Sequence, residues 1–469
     1  MNDKQLNKLG FADRAAKEAA RRCVKHGEAR GMSSLQIRKA LGGVARNPGR
    51  YRDDPVFAPL AEALTRAPKP GGVRRREGAL PGGAPFRQWG RNLDPKAVLQ
   101  MEQACSLPVA VRGALMPDAH VGYGLPIGGV LAAENAVIPY AVGVDIACRM
   151  KLSVLDMAPS ALEDERAEGL RRAIETETRF GIGASFMRQR NHPVMDEDWS
   201  VSPVTRQMKD KAWAQLGTSG SGNHFVEFGE LHLGKAVLGL EAGIYLALLS
   251  HSGSRGVGAE VCRHYSKTAR SLCKGLAPEL QHLAWMPMET GEALEYWAAM
   301  ELMGMYAAAN HELIHRHIAE HLGVPVLAEV ENHHNFAWKE QHDGRTVIVH
   351  RKGATPAAKG VLGIIPGSMA SRAYLVRGLG NPDSLESVSH GAGRVISRTQ
   401  AKKILSWSEA LKILQENKVK LLSGGLDEVP AVYKDIETVM DCQRDLAESL
   451  GYFRPRLVKM APAGERPED

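Results

Sequence analysis

Six side chains in this sequence have the chemistry of a reactive centre: Asp145, Cys148, His224, His251, His334 and His390. Each sits near the end of an apolar run, beside Gly, Ser or Asn, and strand-end loops are where sites are commonly built. Taken alone, Asp145 and Cys148 also fit a turn cap and a small apolar filler. The recurrence of the pattern is what points to a metal centre. One carboxylate, one thiolate and three imidazoles can hold a pair of divalent ions. A bridging Cys148 would bring the two ions close together, which suits in-line phosphoryl chemistry. Ligand softness favours zinc, with manganese or cobalt as alternatives. His390 opens the run Gly391-Ala392-Gly393-Arg394 and is either a further ligand or a nucleophile. A neutral imidazole nitrogen can attack an α-phosphorus and form a phosphoramidate.

Cationic groups point the same way. Arg255, Arg351, Lys352, Arg394 and Arg398 lie in or just after Gly-rich turns, where they can bind phosphate by charge-assisted hydrogen bonds. Metal ligands beside such turns suggest phosphoryl or nucleotidyl transfer.

These residues need elements to position them. Apolar runs at 130–133 and 141–146 read as short buried strands, the second ending at Asp145 and Cys148. Further strands are expected at 109–116, 225–228, 243–250, 326–330 and 346–350, and the run 360–366 leads into Gly367-Ser368-Met369. Helices are expected at 96–105, capped by Asp94, and at 161–180, 259–274 and 292–322. The stretch from 180 to about 204 reads as irregular. The helix 292–322 carries His311, His315, His317 and His321. No thiol or carboxylate shares their spacing, so they read as surface or packing residues. Residues 1–66 read as a basic helical extension, 67–85 as a Pro/Gly-rich linker and 86–469 as one large α+β domain. The extension is a solvated appendage or a nucleic-acid-binding one.

The totals exclude several classes. The 469 residues suffice for a large core, and 44% hydrophobic with 24% charged content is that of a globular protein. A net charge of +7 permits a polyanionic partner. Six cysteines without a CxxC pair fit free thiols in a reducing compartment. No apolar leader opens the chain, and no stretch nears the ~18 apolar residues of a membrane span. A cytoplasmic protein without a membrane partner is the expectation.

The segments MPDAHVGYGLPIGGV, GVDIACRM, GSGNHFVEFG, HSGSRGVG, HHNFAW, HRKGATPA, PGSM, HGAGRVISR and DEVPAVYKDI together resemble the RtcB family of GTP- and manganese-dependent RNA ligases, in the family's order. The resemblance implies the RtcB-type fold and a mechanism. His390 would be guanylylated by GTP, and GMP would pass to an RNA 3′-phosphate. A 5′-hydroxyl end would then attack and release GMP. A 2′,3′-cyclic phosphate would first be opened. The resemblance puts Asp145, Cys148 and His224 on a first manganese, and Cys148, His251 and His334 on a second. It assigns the guanylate to Asn223, His224, Phe225, Val226, Glu227, His334, Asn335, Pro366, Gly367, Ser368, Met369, His390, Gly391, Ala392, Gly393 and Lys459. Asp118 and His120 would support these groups from behind. RNA with broken ends, in RNA repair or tRNA splicing, is the implied substrate, with an archease-type activator as a further partner.

The chain departs from the family pattern at three points. GVDIGCGM is here GVDIACRM, so Ala147 and Arg149 flank Cys148, where they would alter metal choice or add a phosphate contact. Ala373 stands where the family has a serine that contacts the nucleotide, which loosens the expectation of strict guanine selectivity. The competing readings are a di-metal phosphohydrolase or cyclic phosphodiesterase acting on RNA ends, and a non-catalytic RNA-binding protein. The first has no need of a nucleotide-accepting histidine. The second has no need of five metal-binding positions.

Overall fold

The computed structural model describes Leu6, Phe11 and residues 14–46, 48–52, 54–65 and 83–465. The stretch read as a linker lies almost wholly outside the described residues. The chain divides into two compact units, Met1–Arg74 and Arg75–Asp469.

In the first unit, helices Arg14–Ala29, Ser34–Arg46 and Ala58–Thr65 close on a small core of Ala19, Ala20, Cys23, Ile37, Leu41, Val44, Phe57 and Leu60. Ser33 and Gln36 form a reciprocal capping box, Gln36 N donating to Ser33 Oγ and Ser33 N to Gln36 Oε1. The outer surface carries Arg21, Arg22, Lys25, Arg30, Arg38 and Lys39, all exposed.

The second unit is built on two sheets. The smaller runs Phe86–Gln88, Ala110–His120, Ile127–Ala133, Arg345–Lys352, Phe336–His342 in spatial order, antiparallel except for the first pair. Helix Pro95–Cys105 packs beside it, and Asp94 caps that helix by accepting from Lys96 N. The larger sheet has the order Leu362–Ile365, Ala373–Gly378, Ala447–Met460, Phe225–Leu233, Gly243–Ser252, Arg149–Leu155, Val326–His333, and Lys420–Ser423 pairs alongside Ala447–Met460.

The larger sheet curls until its two end strands meet. Val330 and Ile364 share one apolar cluster with Met150, Leu152, Leu249, Leu375 and Phe453. The Asn332 side chain completes the seam, accepting from Ile364 N at 2.8 Å and donating to Ile364 O at 3.3 Å. Helix Gly291–Leu322 covers the other face through Ile314, Ile318 and Ala319 against Val226, Phe228, Leu246 and Leu248. No helix among the described residues is long and apolar enough to cross a membrane.

Most expected elements are present, and the mixed α+β architecture is the observed one. One expected strand is not. Residues 141–146 form no strand: Pro139–Val142 is one helical turn, ended by Gly143 at φ 103°, and Asp145 follows in a bend. A short buried apolar run carries no period that separates strand from helix, and Pro139 at the first helical position decides it. Asp145 and Cys148 therefore precede a strand, Arg149–Leu155, rather than end one. Helix Pro203–Gln215, capped by Ser202, begins within the stretch read as irregular and continues beyond it. The 14-residue strand Ala447–Met460 was also not anticipated. It accommodates Pro455 at an irregularity in its pairing with Phe225–Leu233.

Candidate metal centre and reactive histidine

Four adjacent strands deliver the candidate metal-binding side chains to one end of the larger sheet. Cys148 immediately precedes Arg149–Leu155, and His224 immediately precedes Phe225–Leu233. His251 lies near the end of Gly243–Ser252, in register with Met150 on one side and Phe225 on the other. His334 follows Val326–His333, whose His333 is opposite Arg149. Antiparallel pairing places these two strand starts and two strand ends together.

Cys148 Sγ lies 3.0 Å from His251 Nε2 and 3.5 Å from His224 Nε2, and these three ligand atoms are all within 4.8 Å of one another. Asp145 Oδ2 is 3.0 Å from His224 Nε2, while its Oδ1 accepts from Ser254 N. Gly253 makes room for that carboxylate, which a Cβ there would strike. His334 Nε2 is 3.2 Å from His251 Nε2.

Backbone carbonyls set the tautomers. His224 Nδ1 donates to Ser219 O at 2.8 Å and His251 Nδ1 to Asn223 O at 3.1 Å. Both Nε2 atoms therefore turn a lone pair toward the thiol, as metal-ligating histidines do. Burial pushes His251 down to about 3 and His334 well below the usual imidazole range, so both are neutral near pH 7. Burial alone would raise Asp145, but the combined influence of His224, Cys148 and His251 outweighs it and holds the carboxyl below its usual range. A buried set of thiol, carboxylate and neutral imidazoles, converging with no apolar filler between them, fits a metal ion.

His390 comes from a different layer. It follows the short strand Ser387–Ser389, and its Nδ1 lies 2.7 Å from Oδ2 of the wholly buried Asp118. Its ring centroid is 4.9 Å from that of His334. Burial also lowers His120, to about 4.

Asn335 links the turns. It sits at φ 60°, donates from Nδ2 to Asp145 O, and accepts from Gly353 N through Oδ1 at 2.7 Å. Ala147 N donates to Asn335 O at 2.9 Å, and His334 N to Cys148 O at 2.8 Å.

A cavity of about 650 Å³ opens over this centre. It is lined by Asp145, Cys148, Asn223, Phe225, Glu227, His251, His334, Asn335, Pro366, Gly367, Ser368, Met369, His390, Gly391, Ala392 and Gly393, and also by Ala373. Thus most residues singled out from the sequence converge on one space. His224 lies beneath it, buried against Asp145 and Cys148. Val226 and Lys459 lie outside the lining. Val226 faces the core under helix Gly291–Leu322, and the Lys459 ammonium sits 5.7 Å from the centre of the Phe180 ring. Burial drives Glu227 well above the usual carboxyl range. In its neutral form it can both donate and accept at the cavity wall.

Several expectations are corrected. Arg255 and Arg351 are not free to bind anions. Arg255 is buried and donates to Thr218 Oγ1 and Gly181 O. Arg351 is buried, forks onto Glu340, and donates to Ser387 Oγ and Leu385 O. Arg149 makes no contact with the cavity: its guanidinium pairs with Glu331 and donates to Gly304 O on the long helix. Lys352, Arg394 and Arg398 do line the cavity, although both arginines are held by Glu428.

His311 and His315 are packing residues, as read. They bond to Ser250, Ser153 and Ser252 O beneath the sheet. Lys434 was missed. Its ammonium donates to Pro117 O and Ala119 O, holding the backbone on both sides of Asp118. Only its place in the DEVPAVYKDI segment could have flagged it.

The model of the family described as "tRNA-splicing ligase RtcB" matches residues 100–460. The RNA-splicing ligase RtcB of Escherichia coli (strain K12) is 33% identical over 402 residues, covering 79% of this chain and 96% of that protein. The tRNA-splicing ligase RtcB of Methanococcus maripaludis is 31% identical, covering 80% of this chain and 92% of that protein. The RNA-splicing ligase RtcB of Mycobacterium tuberculosis is 31% identical, covering 76% and 99%. With the buried thiol–imidazole cluster and the His390–Asp118 pair both inside the matched span, the chain belongs to the RtcB family.

Proposed function

We propose that this protein is an RNA ligase that joins 3′-phosphate or 2′,3′-cyclic phosphate ends to 5′-hydroxyl ends, using GTP and two manganese ions through a guanylylated His390. The observation that carries the reading is the His390–Asp118 pair at 2.7 Å, set beside the Cys148 cluster at the wall of one cavity.

Asp118 accepts a hydrogen bond from His390 Nδ1–H, which leaves Nε2 with its lone pair. That nitrogen forms a bond to the α-phosphorus of GTP as the bond to the bridging oxygen breaks and pyrophosphate leaves. GMP then passes to the RNA 3′-phosphate, freeing His390. The 5′-hydroxyl oxygen gives up its proton, attacks the activated phosphorus and displaces GMP. Asp145, Cys148 and His224 would hold one manganese, and Cys148, His251 and His334 the other. Bound there, the ions would neutralise phosphate charge that repels the nucleophile. Neutral Glu227, Phe225 and the turn Pro366–Gly367–Ser368–Met369 would receive the nucleotide.

The test is covalent labelling. Protein incubated with α-labelled GTP and manganese, then denatured, should retain label, and His390→Ala should not. Label from ATP as well would trace to Ala373, a cavity wall without a hydroxyl. A metal-loaded protein that takes no label but opens cyclic phosphate ends would instead be the hydrolase.

A further inference from the structure

The nucleotide-receiving residues leave one wall of the cavity without a role. That wall comes from the smaller sheet: His120 ends one strand, Ile127 begins the next and Lys352 ends a third, with Val121, Gly122 and Tyr123 between the first two. Its side chains are unusual for a charged site. Tyr123 is 69% exposed and Val121 45%, and Val395, also in the lining, is 56% exposed.

An exposed tyrosine on a loose loop would mean little, but this loop is tied down. Gln100 grips Gly122 from both sides, donating to its carbonyl at 2.6 Å and accepting from its N–H at 3.0 Å. Lys352 Nζ donates to Tyr123 O at 2.5 Å and to Tyr140 O at 3.0 Å. Gly124, at φ 71°, brings the chain so close to His282 that a Cβ would lie 2.9 Å from the His282 carbonyl oxygen. The His282 ring meets the Tyr123 ring at 5.7 Å in an edge geometry, a contact on one side of the ring. The backbone is held and the ring is left in solvent at the rim of the reactive cavity.

We propose that Tyr123 is the platform on which the terminal base of the RNA strand stacks when its end is presented to His390. The inference rests on the ligase reading and names how that substrate is held. An aromatic face is sequence-tolerant, because every base offers a π-face. That suits an enzyme that takes broken ends of varied sequence. Val121 and Val395 extend the apolar rim, while Lys352 anchors the platform rather than the phosphate.

The experiment compares full-length wild type, Tyr123→Phe and Tyr123→Leu on RNA carrying 2-aminopurine at the terminal position. Wild type and Tyr123→Phe should quench its fluorescence on binding. Tyr123→Leu should lose the quenching and raise the KM for RNA about tenfold, the change falling on KM rather than kcat. Quenching and KM unchanged in Tyr123→Leu would overturn the platform, and so would Tyr123→Phe failing as badly as Tyr123→Leu. Wild type that forms no GTP adduct would remove the ligase reading itself. Adduct formation with RNA that is bound but never quenched would remove the platform alone.

Discussion

Asp118 meets His390 at the end of a strand whose backbone Lys434 grips on both sides, through the carbonyls of Pro117 and Ala119. The carboxylate is wholly buried, and its Oδ1 has no hydrogen-bond partner among the described residues. A group held so firmly fixes which imidazole nitrogen carries the proton. Asp118→Asn would offer an amide N–H to Nδ1 and drive the proton to Nε2, removing the nucleophilic lone pair. The rate of label transfer from GTP should fall on the order of ten-thousandfold, the loss a wrong-tautomer histidine causes in a Ser-His-Asp triad. An unchanged single-turnover rate would show that Asp118 has no part in the step.

The Cys148 thiol is shared by both proposed ion sites, so its loss should cost both. Wild type with manganese at a hundred times its Kd should gain about 2.7 kcal/mol of stability, visible as a higher Tm. Cys148→Ala should lose that gain, and metal analysis should find the ions largely absent. Retention of a full metal complement would assign the thiol a packing role instead.

The two departures beside Cys148 have different physical meanings. Ala147 sits at φ 56°, in the left-handed region where a Cβ is strained. Ala147→Gly should therefore raise stability by about 1 kcal/mol without altering the Asp145 and Cys148 side chains. Arg149 ties the sheet to helix Gly291–Leu322 through Glu331 and Gly304 O. Arg149→Ala should lower stability by about 2 kcal/mol, because the charge-assisted bonds from the buried guanidinium to Glu331 and to Gly304 O are lost. Paired denaturant titrations and manganese titrations would separate these effects; a shifted manganese affinity in Arg149→Ala would contradict the assignment.

Charge is divided unequally along the chain. Met1–Arg74 has 16 Lys and Arg against 7 Asp and Glu, a net +9, while Arg75–Asp469 has 44 against 46, a net −2. A polyanion would therefore find its long-range attraction in the first unit. Arg21→Glu, Arg22→Glu and Lys25→Glu together, all on the exposed side of one helix, should weaken RNA binding and flatten its salt dependence. The expected loss of slope is about 0.7 for each phosphate contact removed. Equal slopes for variant and wild type would leave the unit without an RNA role.

How much of this was legible beforehand depends on the kind of contact. His224, His251 and His334 could be read because each lies at a strand end, and antiparallel pairing brings such ends together. The site of Asp145 was legible although its element was not. An apolar run with Pro139 in front makes a helical turn, yet delivers the carboxylate to the same place. The fates of Arg255 and Arg351 were hidden, since a buried arginine and a phosphate-binding one look alike until Thr218 and Glu340 are placed. Lys459 shows the converse limit. Neighbours Val458 and Met460 line the cavity, and strand alternation turns Lys459 the other way.

The seam at Asn332 has a consequence for the molecule among other molecules. An open sheet presents unpaired backbone groups on which a foreign strand can grow. Here one amide side chain offers Ile364 both the acceptor and the donor that such a strand would supply. The sheet that carries the thiol–imidazole cluster is thus closed at this point to templated aggregation. Its guard is a single residue, two positions from His334.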